Sequence, residues 1–363
     1  MLQGSHKVSA TQQEVTVGAT LTDVARRAGV SLATASRAFN DPDRLASETH
    51  ERVLAAASEL KFEAPLSSHG SRTFAVVVPD VGNAVFAALI RSIQDQAWHG
   101  RHRMILANTA EDSAREQEIL QTFGRSVGGV ILCSPRVSSA VIKAALGTTP
   151  LVVINGETDF APSVLMDVEE GIRQAVEHLF ALGHRRIALV PGPVSSWANQ
   201  RRLQCVVARA AEWNMELTTV GNQAATVNGG LAAAAAVVSS GATAVIAYND
   251  LVALGVQAGA RTLGYHCPED LSIVGIDDID VGAASEPGLT SIRVAFTRSG
   301  SLSLELLLDR IAGKPIPDKA IHLTSQLIVR GSTFAARDHA HDHAHDHAHD
   351  ESRRLSLSDN QAT

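Results

Sequence analysis

Apolar residues at Leu21, Val24, Ala25 and Ala28 keep the i, i+3, i+4, i+7 spacing of one helix face. Thr20 with Asp23 three positions on predicts a capping box at its start, and Gly29 supplies a left-handed stop. A second short helix follows. Val30 turns the chain inward, Ser31 is placed to cap, and Ala35, Ala38 and Phe39 give a small apolar face suited to close packing. The opposite face carries Leu32, Ala33, Thr34, Ser36 and Arg37. A third helix is predicted from Ser47, with Val53, Leu54, Ala57 and Leu60 closing a miniature core.

From Thr73 the period changes. Short apolar runs at 74–78, 104–107, 129–132, 151–154, 187–190, 244–247 and 271–274 predict strands. Amphipathic stretches at 84–98, 114–123, 168–182, 199–213, 230–239 and 251–263 predict helices between them. Such alternation implies parallel sheets covered on both faces. About 260 residues are too many for one small sheet, so two doubly wound lobes are expected. The alanines at 232–236 read as helix interior packed against a sheet.

Composition narrows the class. The 363 residues are 45% hydrophobic and 19% charged, a soluble globular balance in a chain longer than one ordinary domain. No run of about 18 apolar residues could span a membrane, and the first residues lack the apolar core of a signal peptide, so a cytoplasmic protein is expected. Cys133, Cys205 and Cys267 are odd in number and widely spaced, against a disulfide framework or a four-ligand zinc site. Neither G-x-G-x-x-G after a predicted strand nor G-x-x-x-x-G-K-[ST] occurs, which removes the phosphate-cradling loops of dinucleotide enzymes and NTPases and argues against an enzyme.

The helix pair at 20–40 suits insertion into a DNA major groove, although an ordinary αα-hairpin has the same packing. The order D-V-A-x-x-A-G-V-S-x-x-T-x-S-R-x-x-N decides between them. It resembles the amino-terminal signature of the LacI/GalR family of bacterial transcriptional repressors, matching at Asp23, Val24, Ala25, Ala28, Gly29, Val30, Ser31, Thr34, Ser36, Arg37 and Asn40. Stretches at 76–86, 176–193, 248–255 and 270–279 are similar to that family's effector-binding domain.

The resemblance implies a small all-α helix-turn-helix head joined to a two-lobed α/β periplasmic-binding-protein-like domain with parallel sheets. The expected divisions are a flexible extension at 1–19, the head at 20–63, a shortened linker at 64–73, a two-lobed effector-binding and dimerisation domain at 74–335, and a His/Asp-rich tail at 336–363. One lobe is expected to hold 74–164 with 294–323, the other 165–291 with 324–334. The implied protein is a homodimeric repressor, with higher assembly left open, that binds a near-palindromic double-stranded operator under control of a sugar-like effector.

In such a head Arg37 can pair bidentately with guanine, and Leu32 and Ala33 can meet thymine methyls. Thr20, Ser31, Thr34, Ser36 and Asn40 would hold phosphates. The net charge of −7, with seven Lys/Arg and seven Asp/Glu between residues 20 and 72, excludes a generally basic patch. Affinity must come from a few placed contacts, doubled by dimerisation. The linker lacks the A-R-x-L element of the family pattern, leaving Leu66 as the one candidate for minor-groove insertion.

Ligand sites in doubly wound sheets form beyond the carboxyl ends of strands. Asn155, Asn249 and Asp277 end predicted strands, and Arg202 lies early in the helix after a P-G-P loop. By the resemblance, Arg202, Asn249 and Asp277 match effector-holding positions, and an arginine fork beside a carboxylate suits a polyol. The competing readings are a helix cap for Asn249, turn residues for Asp277 and Asp278, and a surface ion pair for Arg202. Two departures from the family pattern are Ala225, near where relatives place a stacking aromatic, and Cys205, where a glycine is usual. Met166, Phe296, Phe160 and Trp197 are the candidates for an apolar wall.

No cofactor is required by this reading. The tail carries His339, His341, His343, His345, His347 and His349 beside carboxylates, a pattern able to capture zinc, nickel or copper incidentally. A metal-responsive regulator working through this tail and a non-regulatory solute-binding protein are the alternatives.

Overall fold

The computed structural model describes residues 19–40, 45–60, 62, 72–124, 126–315 and 320–337. Most of the linker with Leu66, and the six tail histidines, lie outside the described residues. The chain divides into two compact units, one through Arg72 together with Trp98–Arg103, the other comprising Thr73–Ala97 and the chain from Met104.

Three helices form the first unit: α1 (Leu21–Ala28), α2 (Leu32–Asn40) and α3 (Ser47–Glu59). Thr20 and Asp23 close the capping box, which holds the Asp23 carboxyl below its usual range, chiefly through the Thr20 hydroxyl. Gly29 stops α1 at φ 66°, a left-handed conformation natural to glycine. Val24, Ala25, Ala28, Ala35, Ala38, Val53, Ala56 and Ala57 make the core, and the Phe39 and Phe62 rings meet at 5.8 Å. Small side chains let three short helices approach closely. The sequence placed Leu54 in this core, but it is 42% exposed and Ala56 is buried instead. The inward face of α3 is Val53, Ala56, Ala57 and Leu60, the i, i+3, i+4, i+7 set to which Leu54 does not belong.

The second unit holds two six-stranded sheets. The first contains β1 (Thr73–Val78), β2 (Arg103–Asn108), β3 (Val130–Cys133), β4 (Leu151–Ile154), β5 (Ser163–Asp167) and β11 (Ile321–Thr324), in the order β11-β5-β4-β3-β1-β2. The second contains β6 (Arg186–Val190), β7 (Glu216–Thr219), β8 (Ala244–Ala247), β9 (Ser272–Asp277), β10 (Thr290–Arg293) and β12 (Gln326–Ile328), in the order β12-β10-β9-β8-β6-β7. In the second sheet neighbours pair in parallel except β12, which runs antiparallel to β10 at an edge. Central strands are buried on both faces, as their continuous Val/Ile/Leu runs require.

The chain passes between lobes three times: from β5 into α7 (Glu169–Ala181), from β10 into α12 (Phe296–Ile311), and from β11 to β12 through buried Ser325. The first passage therefore falls after Asp167, later than the expected boundary at 164, because β5 pairs with β4 and β11 along its length. The alanine-rich α9 (Val227–Ser239) packs tightly against α10 (Asp250–Thr262), not only against the sheet. A Cβ on Gly230 would lie 2.1 Å from the Val252 carbonyl oxygen, and one on Gly255 the same distance from that of Val227. Only glycine fits at either position.

Candidate functional site

In the head, Ser31 caps α2: its Oγ accepts from the Thr34 amide at 3.0 Å and lies 2.8 Å from Thr34 Oγ1. This fixes the first turn of α2 and presents Leu32, Ala33 and Arg37 on one exposed face. Leu32 is 51% exposed, a large apolar side chain left in water at the start of a helix. Arg37 is exposed, with no ion-pair or hydrogen-bond partner among the described residues. Thr20 and Ser31 are exposed, and Thr34 and Ser36 half-buried, so four of the expected phosphate-holding side chains lie at the rim of the same small unit; Asn40 ends α2.

Both sheets have the strand order that places a switch point beside the first strand, and the loops at their carboxyl ends carry the second constellation. Arg202, in α8 (Trp197–Glu212), is buried and donates through Nη2 to Asp277 Oδ1 at 3.0 Å and through Nη1 to the Tyr248 carbonyl. Its guanidinium carbon stands 4.7 Å from the Tyr248 ring centroid, and its Nε is buried without a partner among the described residues. Arg202 is therefore no surface ion pair. Asp277 ends β9 at φ 120°, a conformation that L side chains rarely adopt, stored at a strand terminus. Its desolvation outweighs the pull of Arg202, pushing the carboxyl up to about 6.

Behind Asp277 lies Asp250, which the sequence reading missed. Its carboxylate accepts from Ser291 Oγ at 2.5 Å and from the Ile279 amide at 2.8 Å, joining α10 to strand β10 and to the loop after β9. Burial, then the neighbouring Asp277 charge, pushes it up to about 7. Asp278 is committed to Arg293 and Arg330, each at 2.6 Å.

Because the Asp250 pKa is raised on folding, the folded state binds a proton that the unfolded chain has released between about pH 4 and about 7. This group's stabilising contribution is full below its unfolded pKa and is lost as pH rises through its folded pKa. Asp250→Asn should therefore gain stability relative to the parent between pH 5 and pH 8, read as urea midpoints; a pH-independent difference would contradict the assignment.

The remaining candidates are divided between the two lobes. Asn155 Oδ1 accepts from the Met166 amide at 2.9 Å. Asn249 caps α10 by accepting from the Val252 amide at 2.9 Å and reaches the Ala225 carbonyl at 3.4 Å, so both ends of its amide are engaged within the lobe. Asp277 and Phe296 line a cavity of about 710 Å³ with Val85, Ala88 and Arg91. Met166 lines a separate cavity of about 180 Å³ with Trp197 and Arg201. Phe160 belongs to neither: it packs on the core around Ile142 and Leu146, with Lys143 Nζ 5.4 Å from its ring centroid. Among the described residues no group of three or more His, Cys, Asp or Glu is placed to hold a metal, and no helix is long and apolar enough to cross a membrane.

Residues 20–64 match the family model for bacterial regulatory proteins of the lacI family, and residues 176–333 match that for a periplasmic binding protein-like domain. The chain is 31% identical over 333 residues to the HTH-type transcriptional regulator MalR of Streptomyces coelicolor, covering 87% of this chain and 97% of that one. It superposes on a lac repressor dimer bound to operator and the anti-inducer ONPF with a TM-score of 0.73 at 26% identity, covering 88% of this chain and 100% of the other. A ribose-bound LacI family regulator from Enterococcus faecium gives 0.67 at 30% identity, covering 73% and 100%. With a capped helix-turn-helix at its amino end and two parallel-sheet lobes behind it, this chain belongs to the LacI family of transcriptional regulators.

Proposed function

We propose that this regulator is a homodimeric repressor whose heads read a near-palindromic operator and whose cleft binds a small polyhydroxylated effector. The observation that carries the reading is the α2 face, where Arg37, without a partner among the described residues, stands beside exposed Leu32 and Ala33 on a cap-fixed helix. Arg37 reads guanine and the two apolar neighbours read thymine methyls, while Thr20, Ser31, Thr34, Ser36 and Asn40 hold phosphates and set orientation.

In the cleft, Arg202 and Asp277 are the polar pair that an effector engages, with Phe296 as apolar wall and Asn155 offering an amide nitrogen that has no partner among the described residues. Asn249 acts at one remove, by fixing the start of α10. The second copy fits α9, which carries no charged residue and exposes Val227, Leu231, Ala232 and Ala235. An uncharged apolar face of this kind suits a partner surface like itself.

A gel-shift titration of the full chain on a selected operator, repeated with uncharged hexoses, pentoses and nucleosides, tests the effector assignment. At least one compound should change operator affinity and raise the melting temperature of the parent, and Asp277→Asn should lose both effects. A response retained in Asp277→Asn would overturn the assignment.

A further inference from the structure

The cavity of about 180 Å³ beside the crossing strands is lined from both lobes. Met166, Asp167 and Glu157 come from the first lobe with His322 of β11; Trp197 and Arg201 come from the second. Trp197 and Arg201 are one helical turn apart in α8 and both line the cavity, whose lining includes neither Arg202 nor Asp277. The two arginines are consecutive in sequence, and of the two Arg201 lines this cavity.

The lining has a definite chemistry. Trp197 and Met166 offer an aromatic face and a polarisable thioether, a wall suited to the flat or C–H face of a ring. Arg201 is half-buried, with no ion-pair or hydrogen-bond partner among the described residues. Its planar fork of donors matches a carboxylate. Asp167 is already engaged by the Glu169 amide at 3.0 Å and by His322 Nδ1 at 3.3 Å, whereas Glu157 is exposed at the rim and available to accept hydroxyl donors. The volume lies below the roughly 300–1,000 Å³ of drug-sized sites, which limits the occupant to one ring.

We propose that this cavity is a second small-molecule site, separate from the Arg202–Asp277 cleft, that binds a single-ring hydroxylated monocarboxylate with its carboxylate on Arg201 and its ring against Trp197. Uronic acids and hydroxybenzoates share this chemistry. Because both lobes line the cavity and lie on either side of the first crossing, occupancy holds them in one mutual arrangement, and the ligand acts on the same closure as the cleft effector. The site's existence does not depend on the identity of that effector.

The test is calorimetric titration of the full chain with D-glucuronate, D-galacturonate and 4-hydroxybenzoate, with D-glucose as the uncharged control. At least one carboxylate should bind, with D-glucose at least about tenfold weaker, since the uncharged sugar cannot form the charge-assisted pair with Arg201. Arg201→Gln should weaken that carboxylate at least tenfold, Arg201→Lys should recover part of the loss, and Trp197→Ala should weaken it while leaving the preference for the charged form. Asp277→Asn should keep the carboxylate response. Circular dichroism melts of each ligand-free variant confirm folding. Binding by none of the three carboxylates, or binding unaffected in Arg201→Gln, overturns the proposal. A response lost in Asp277→Asn but kept in Arg201→Gln assigns the ligand to the cleft, overturning the second site while the effector reading stands.

Discussion

Replacing Arg37 with alanine should sharply reduce operator discrimination while leaving the fold intact. A bidentate guanine contact contributes about 1–3 kcal/mol of discrimination, and a two-headed protein loses it at both half-sites. The combined loss is about 2–6 kcal/mol, or roughly 30-fold to more than 10⁴-fold. The effect falls on the cognate duplex, because a scrambled duplex of equal length offers only phosphates to the same arginine. Fluorescence anisotropy on both duplexes at one fixed salt concentration measures it. The head should remain folded, since Arg37 is exposed and its removal touches none of the core around Val24, Ala35 and Val53. Equal losses on cognate and scrambled duplexes would make Arg37 a phosphate contact and remove it from the reading face.

The second large effect belongs to Arg202. It is buried, paired with Asp277 and bonded to the Tyr248 carbonyl, so Arg202→Met leaves a desolvated carboxylate beside Asp250. Breaking one side of a buried pair costs about 3–5 kcal/mol. The deficit should be larger at pH 8 than at pH 5.5, because the freed Asp277, already pushed up to about 6 with Arg202 present, rises further and escapes the cost by protonation at the lower pH. Arg202→Met with Asp277→Leu should recover most of the stability and none of the effector response. Urea denaturation at both pH values checks this; a single variant as stable as the parent at pH 8 would show that the pair is not an integral part of the lobe.

Legibility in the sequence followed how locally each feature is determined. The head was readable almost position by position, because caps, glycine stops and helical periodicity act within one or two turns; Leu54 failed because it sits one position outside the buried stripe. Central strands such as β4 and β8 were readable as unbroken apolar runs. The strands β5, β7, β10, β11 and β12 were not. They are short and partly polar, and β10 buries Thr290 and Ser291 completely, which is tolerable only because Arg330, Ser332 and Asp250 from distant parts of the chain satisfy them. The long helix α12 was hidden by its serines and Gly300, which allows a close approach to the backbone of α4 (Ala84–His99).

The same division holds in the cleft. Family resemblance supplied Arg202 and Asp277, and the structure pairs them. It could not reveal that Asp250 stands behind them, nor that Trp197 and Met166, far apart in sequence and read as possible wall residues, share a cavity with Arg201. Those contacts arise from where the chain passes between lobes, which no local pattern encodes.

Two heads reading one operator should impose two-fold symmetry on the DNA that the chain selects. Selection of bound duplexes from a randomised pool by the full chain, followed by sequencing, tests it most directly. Two half-sites related by inversion should be enriched, each with a fixed guanine whose enrichment disappears in Arg37→Ala. No enriched sequence, or a lone half-site bound as tightly as the pair, would contradict it.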